Sequence, residues 1–266
     1  MINKPMLGVA AAVLVVAGGS WYYLQSRQAA APSAPAAVQT PLPPEPSEES
    51  ATQHPLPAAP GNSASQAPLP ALADSDAALR DALGQLAGAA AVKDYLRPDS
   101  IVRHLVVTVD NLPRQKVSAE KRPIVPIVGS FAADGDELHA TLDPKNFARY
   151  QPLVAMLSKL DMQQLAAVYI RFYPLFQQAY QELGYPNGYF NDRLVQVIDV
   201  LLATPQPAAP IALVRPNVMY TYADPALEAR PAGQKLLIRM GPDNAAAVKA
   251  KLMELRAAVT AAPPKR

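Results

Sequence analysis

The stretch YIRFYPLFQQAYQELGYPNGYF, residues 169–190, carries the pattern that decides the fold. Five of its aromatic residues recur at spacings of three and four, which places them on one face of a helix. Such a stripe is typical of a helix that packs against a hydrophobic core. We therefore predict a long helix over residues 162–183, capped by Asp161 and closed by Gly184. The stripe consists of Tyr169, Phe172, Tyr173, Phe176 and Tyr180.

Two features of the same stretch leave alternatives open. Pro174 lies inside the predicted helix, where it removes one backbone hydrogen bond, so we expect a kink or a break into two pieces. After the helix, Tyr185, Tyr189 and Phe190 flank the turn "PNG" at residues 186–188. These aromatic residues either stack on a sugar or a partner from an exposed turn, or hold the turn against the helix beside it.

Apolar residues recur at helical spacing on both sides of this stretch and predict six further helices. Two other segments are extended, because one has an Asp-Gly pair between short runs and one is rich in β-branched residues and tyrosine. The sequence therefore predicts a mostly helical single domain with a few short strands over residues 74–261, and a disordered tail over 262–266. The helices cover about 75–88, 98–111, 143–159, 192–203 (capped by Asn191), 232–240 and 242–259, and the extended segments are 127–142 and 211–224.

Residues 6–24, MLGVAAAVLVVAGGSWYYL, contain no charged side chain. A helix of this length spans about 28 Å, close to the hydrocarbon thickness of a bilayer. Trp21, Tyr22 and Tyr23 cluster at one end, where amphipathic rings favour the headgroup region. We predict a transmembrane signal-anchor helix. A cleaved signal peptide is the alternative, and a buried core helix is a third interpretation.

Residues 25–73 are rich in proline, alanine and serine and predict a disordered linker. Residues 28–79 contain no lysine or arginine, as expected of a translocated flank under the positive-inside rule. We therefore expect a single-pass protein of a bacterial inner membrane. Residues 1–5 would be cytoplasmic and residues 74–261 would form a periplasmic domain.

Charged residues in apolar surroundings supply the candidate site. Asp199 lies in the apolar run LVQVIDVLLA, and Asp110 lies near the end of another predicted helix. A buried carboxylate needs an arginine or a ring of donors, unless it faces water. The pattern fits structural ion pairs, an arginine-lined site for a carboxylate or phosphate, or a catalytic carboxylate pair. The candidate residues are Asp110, Arg114, Arg149, Tyr180, Tyr185, Arg193, Asp199, Arg215 and Asp224, with Arg103 and Arg239 as further possible partners of the carboxylates.

Several classes of function lack a signature. The net charge of +2 provides no basic field for nucleic acid. The chain has no cysteine; of its three histidines, His54 lies in the predicted linker, and the surroundings of His104 and His139 in the sequence do not predict a zinc site. Phosphate-binding glycine loops and nucleophile motifs do not occur. We predict no cofactor, no metal and no identifiable catalytic residue, which favours a protein that is not an enzyme.

Five longer strings resemble a bacterial family known as the domain of unknown function 3014. The resemblance covers about residues 74–260, although His104 stands where a second arginine of the family's motif is expected. It implies an inner-membrane anchor, a proline-rich linker and a periplasmic domain, and it brings no established activity. The strings are RHLVVTVDNLPR (103–114), LDPKNFARY (142–150), FYPLFQQAYQELGYPNGYFNDRLVQVIDVLLATP (172–205), LVRPNVMYTYADPALE (213–228) and AGQKLLIRMGPDNAAAVKAKLMELR (232–256).

The leading hypothesis is a membrane-tethered periplasmic binding or scaffolding module that acts on an envelope protein or peptidoglycan. One alternative is an envelope hydrolase that uses carboxylates which the spacing does not pair. A second alternative is a structural subunit of an inner-membrane assembly, joined through the small face of the anchor at Gly8, Ala11, Ala12 and Val15.

Overall fold

The computed structural model of the protein describes residues 52–57, 68–117, 120–136 and 139–260. Within these ranges the chain forms nine α-helices and two short hairpins, so the predicted mostly helical fold is confirmed. The helices are α1 (Asp76–Ala87), α2 (Ala89–Tyr95), α3 (Ile101–Asn111), α4 (Lys145–Ser158), α5 (Met162–Glu182), α6 (Phe190–Leu202), α7 (Pro225–Glu228), α8 (Ala232–Met240) and α9 (Pro242–Thr260).

Helix α5 begins and ends where the sequence predicts. The Asp161 carboxylate accepts hydrogen bonds from the backbone N–H groups of Gln163 and Gln164, at 2.8 and 3.3 Å. Of the two outcomes predicted at Pro174, a kink or a break, the break does not occur, because α5 is continuous to Glu182. A proline inside a helix costs about 3 kcal/mol. Each fully buried aromatic or leucine side chain contributes about 1.5–3 kcal/mol, and several flank the proline.

The aromatic stripe of α5 forms the main core, as predicted. Phe172, Tyr173, Phe176 and Tyr180 are buried, and Tyr169 packs against them. Helix α3 supplies Ile101, Val102 and Val106, α6 supplies Phe190, and α1 supplies Leu79 to the same cluster. The last helix, α9, packs along α4, α5 and α6 and closes the bundle.

Both extended segments form antiparallel hairpins. Strand β1 (Ala133–Asp134) pairs with β2 (Thr141–Leu142), and β3 (Leu213–Val214) pairs with β4 (Thr221–Tyr222). A bridge between Thr141 and Ala212 places the two hairpins side by side. Their inner side chains form a second, smaller core with Ile238 of α8. The hairpin predicted over 127–142 and the strand character predicted over 211–224 are therefore confirmed.

Three local features differ from the prediction. Helix α2 is rich in alanine and has no buried residue, so it has no apolar periodicity to detect. Helix α7 has only four residues. Asn191 was predicted as an N-cap, which is wrong, because α6 begins at Phe190. Asn191 is instead fully buried. Its Oδ1 accepts a hydrogen bond from the Tyr169 hydroxyl (3.1 Å), and its Nδ2 donates to the Val259 carbonyl (3.1 Å).

The predicted membrane anchor (6–24), the residues before it and the tail over 262–266 lie outside the described residues. Among the helices that the structure describes, none is long and apolar enough to cross a bilayer. The predicted linker over 25–73 overlaps two described pieces, residues 52–57 and 68–73. These pieces differ from the prediction, because Leu56, Leu69 and Leu72 pack on the main core. Ordered chain therefore begins before residue 74.

The turn after α5 leaves no room for a larger residue at Gly188. A Cβ atom there would lie 2.8 Å from Tyr180 Cε1 and 3.0 Å from Tyr185 Cβ. We expect Gly188→Ala to lower the free energy of unfolding by about 1–3 kcal/mol, because it separates the packed rings. The measurement is the midpoint of urea unfolding, monitored by circular dichroism.

Gly84→Ala in α1 is the control for this substitution. A Cβ atom at position 84 would meet its nearest neighbour at 3.7 Å, an ordinary contact. Helix propensity predicts an increase in stability of about 0.5–1 kcal/mol. Equal midpoints for the two variants would contradict the tight packing assigned to the turn.

Candidate functional site

Asp110 is the centre of the candidate site. It lies one turn after Val106 on the buried face of α3, and only 3% of its surface is exposed. A carboxylate at this position is costly unless cations and donors surround it. Helical spacing therefore brings Asp110 into the core, and its stability depends on residues from other elements.

Arg193 in the first turns of α6 neutralises Asp110. Its Nε lies 3.0 Å from Asp110 Oδ1, its Nη2 lies 2.9 Å from the same oxygen, and Nη2 also donates to the Asp110 carbonyl at 2.8 Å. The remaining Nη1 donates to Gln196 Oε1 at 2.7 Å. Only 12% of the Arg193 side chain is exposed. Each of the three nitrogens of the Arg193 guanidinium therefore already has a hydrogen-bond partner within the protein.

Arg114 is bound to the same carboxylate from the other side and remains open to solvent. Its Nη2 lies 3.0 Å from Asp110 Oδ2 and donates to the Tyr185 hydroxyl at 2.9 Å. Its side chain is 44% exposed, and its Nε and Nη1 donate no hydrogen bond to the part of the chain that the structure describes. Burial by itself lowers the pKa of the Arg114 guanidinium. Asp110 and Tyr185 raise this pKa by more than burial lowers it, so the net shift is upward.

Tyr185 and Tyr180 complete the cluster. The Tyr185 hydroxyl lies 3.3 Å from Asp110 Oδ2, and its ring stacks on Tyr180 with ring centroids 4.6 Å apart. Burial raises the pKa of Tyr180 to about 12 and also raises that of Tyr185. Both hydroxyls therefore keep their protons at neutral pH. The aromatic residues of the turn pack on the helix beside it, which decides the alternative that the sequence left open.

The cluster combines two guanidinium groups with one carboxylate, which leaves one positive charge in excess. Asp110 Oδ2 accepts two hydrogen bonds, and Oδ1 accepts one from Arg193 Nε and lies 2.9 Å from Arg193 Nη2, so this carboxylate is not free to act as a base. Arg114 presents its unoccupied nitrogens to solvent in a fixed orientation. Its Nε and Nη1 lie on different edges of the guanidinium, so each can donate a single charge-assisted hydrogen bond to a carboxylate or phosphate oxygen.

The other four candidate residues lie in separate contacts. Asp199 pairs with Arg256 of α9 at 2.6 and 3.1 Å on a half-exposed surface, so the arginine partners that the sequence suggested for it are wrong. Arg149 donates to the carbonyls of Val128 and Gly129, and Asp224 caps α7 through the Ala226 N–H. Arg215 donates to the Val218 carbonyl and lies over the ring of Tyr220.

The two further possible partners also lie elsewhere. Arg103 pairs with Glu182. Arg239 lies over the rings of Tyr222 and Phe131, at 5.5 and 5.9 Å from their centroids. In the part of the chain that the structure describes, no group of three or more histidine or carboxylate side chains is placed to hold a metal ion.

Sequence reasoning did not identify Asp192 as a binding residue. Its carboxylate accepts hydrogen bonds from the backbone N–H groups of Gln53 (3.0 Å) and His54 (2.6 Å). The sequence carries no spacing signal for this contact, because the residues lie 139 and 138 positions apart.

The family described as "Protein of unknown function (DUF3014)" matches residues 101–256 of the chain. The match includes Asp110, Arg114, Tyr185 and Arg193, and it covers more than half of the sequence. The resemblance that the sequence strings indicated is thus confirmed over this range. No curated protein and no solved structure matches the chain.

Because Asp110 is buried, even a conservative substitution of its side chain should strongly lower the free energy of unfolding. We expect Asp110→Asn to lower the free energy of unfolding by about 3–5 kcal/mol, because it leaves the buried Arg193 without its counter-charge. Asp199→Asn removes an exposed pair and should cost about 1 kcal/mol or less. Thermal unfolding of the two variants measures the difference. Similar losses would show that Asp110 does not hold the helices together.

Proposed function

This chain belongs to the DUF3014 family, and from that premise we propose that it is a membrane-tethered binding module of the bacterial cell envelope. In this proposal residues 6–24 hold the protein in the inner membrane and residues 25–51 form the tether. The helical domain then binds an envelope protein or peptidoglycan in the periplasm. The hydrophobic run and the following flank without basic residues support this placement.

The half-exposed guanidinium of Arg114 is the observation that carries the binding proposal. Arg193 already supplies one counter-charge to Asp110, so the cluster keeps one positive charge in excess for an anionic group at Arg114. Asp110 and Tyr185 hold this guanidinium in one position. Little side-chain freedom is therefore lost when a ligand binds. The chemistry fits a carboxylate or phosphate on a protein or a cell-wall polymer.

A tether makes weak binding effective. A flexible linker confines the domain near the membrane and raises the local concentration of any partner within its reach. For a tether of residues 25–51, that reach lies between roughly 30 Å as a coil and about 85 Å when extended. A contact that would be weak in free solution then retains its partner more effectively.

The contacts of the carboxylates support binding over hydrolysis. A hydrolase of the kind considered above needs two carboxylates that face one cleft, with one free to accept a proton. Asp110 is buried and fully hydrogen-bonded, Asp199 pairs with Arg256, and Asp224 caps a helix.

In-cell photocrosslinking tests the proposed binding. A photoreactive amino acid replaces Gln115, an exposed neighbour of Arg114, in the full-length chain. We expect an adduct with an envelope protein or peptidoglycan. Arg114→Gln should reduce it about tenfold or more, because a charge-assisted hydrogen bond contributes roughly 1.5–3 kcal/mol.

Arg103→Gln is the matched control for that experiment. Its side chain is 45% exposed, nearly the same as Arg114, and it also pairs with a carboxylate. The adduct should survive this change. An adduct that persists in Arg114→Gln, or the absence of any envelope adduct, would contradict the proposal.

A reporter fusion tests the membrane placement separately. Alkaline phosphatase joined after residue 30 should be active, because the enzyme folds only in an oxidising compartment. The same fusion to a chain lacking residues 6–24 should be inactive. Inactivity of the first fusion would overturn the proposed orientation. It would not bear on the proposed binding of an anionic group by Arg114.

A further inference from the structure

The stretch KRPIVPIV, residues 121–128, places two basic side chains directly before a run of apolar residues. We call it the 121–128 segment. Lys121 and Arg122 are exposed. The exposed apolar side chains of the segment are Ile124, Val125 and Val128. The last of these is 90% exposed, the highest value among the large apolar side chains that the structure describes. Basic and apolar groups are thus open to solvent within one short stretch.

Hydrogen bonds hold the 121–128 segment against the domain. The Arg97 N–H donates to the Pro123 carbonyl at 2.8 Å, and the Val125 N–H donates to the Tyr95 carbonyl at 2.9 Å. Arg149 Nε donates to the carbonyl of the last residue of the segment at 3.2 Å. The segment is therefore attached at both of its halves, and the exposure of its apolar side chains is a property of the fold.

The same contacts lower the cost of moving the segment out of water. A backbone N–H or carbonyl without a partner is costly in a lipid environment. Pro123 and Pro126 carry no N–H group, and the Val125 N–H is already bonded within the protein. The carbonyls of Pro123 and Val128 are bonded as well. Much of the polar backbone of the segment therefore does not depend on water.

The charge around the segment is positive. Glu120 precedes it, and from Lys121 onward the chain contains no acidic residue until Asp134. Arg149 adds a third basic group, so the excess over Glu120 is two positive charges. On the neighbouring stretch, residues 93–99, two basic and two acidic residues balance. The segment therefore attracts an anionic surface.

We propose that the 121–128 segment docks on the anionic surface of the lipid bilayer, an inference that rests on the membrane placement proposed above. Its two basic side chains pair with lipid phosphates, and its exposed apolar side chains enter the headgroup region. Basic groups beside apolar groups are the combination with which interfacial segments bind anionic membranes. A bilayer accepts such a surface without a preformed pocket, whereas a protein partner needs an apolar pocket with acidic groups beside it.

The proposed anchor makes this small surface effective. A contact of a few side chains is weak when the domain is free in solution. The tether makes docking intramolecular and thereby raises the effective concentration of the lipid surface. Docking then holds the domain in one orientation, with the 121–128 segment facing the lipid. Arg114 plays no part in this contact.

Fluorescence quenching in vesicles tests the docking with the full-length chain. The absence of cysteine makes labelling specific, and a fluorophore is attached at Ser130→Cys, an exposed position next to the segment. The chain is reconstituted into vesicles of phosphatidylcholine and anionic phosphatidylglycerol that contain a nitroxide-labelled lipid. We expect strong quenching there, and about tenfold weaker docking in vesicles of phosphatidylcholine alone.

Substitutions in the segment separate its basic and apolar parts. Lys121→Gln with Arg122→Gln should lower the ratio of docked to free domain about tenfold or more, since each basic group near an anionic surface contributes roughly a factor of five. Val128→Asp should lower this ratio by a similar factor, because a negative charge replaces the most exposed apolar group. The matched control is Lys159→Gln with Arg171→Gln, which removes two basic charges from exposed positions elsewhere. The control should leave the quenching unchanged.

Three outcomes would overturn the proposal. The first is equal quenching in the variant of Lys121 and Arg122 and in its matched control. The second is quenching that does not depend on phosphatidylglycerol. The third is capture of an envelope protein by a photoreactive amino acid at Ser130 together with no quenching in vesicles, which would assign the segment to a protein partner.

Two controls separate this proposal from the function proposed above. Flotation of the chain with the vesicles reports insertion of residues 6–24 by itself, so loss of the anchor and loss of docking give different results. Arg114→Gln should leave the quenching at position 130 unchanged. The crosslinking test of Arg114 therefore stands whether or not the 121–128 segment docks.

Discussion

The reversal of the chain between α5 and α6 is the constraint on which the rest of the structure depends. Tyr185 stacks on Tyr180, and Phe190 stacks on Phe176 with ring planes 6° apart. Gly188 allows these rings to approach, because a side chain there would meet both tyrosines. Aromatic contacts of this kind are directional as well as apolar. They therefore place the first turn of α6 at one position against α5 and α3.

Three consecutive residues in that turn then serve three different partners. Successive side chains on a helix point about 100° apart, so neighbours in sequence face different surfaces. Asn191 faces inward and joins α5 to the end of α9. Asp192 accepts hydrogen bonds from the backbone of Gln53 and His54, and Arg193 neutralises Asp110 of α3. One turn of helix thus connects the core, the chain at residues 53–54 and the candidate site.

In the candidate site, the excess positive charge and the fixed position of Arg114 both depend on Asp110. Because Arg193 already supplies one counter-charge to Asp110, the second guanidinium leaves one positive charge in excess, and the Nε and Nη1 of Arg114 stay available. The fold holds this excess positive charge in place through Asp110 and Tyr185.

Periodicity by itself determined the helices and hairpins with large apolar faces, including α5 with its cap and its buried aromatic stripe, because burial repeats at the period of the backbone. It missed the alanine-rich α2, which has no fully buried residue, and of the kink or break that it predicted at Pro174 the break does not occur. It also selected Asp110 and Arg193 as candidates for pairing. Only the tertiary structure decided that these two residues meet across 83 positions, that Asp199 pairs with Arg256, and that Asp192 binds Gln53. Such contacts depend on how helices cross, and no local spacing along the chain records that geometry.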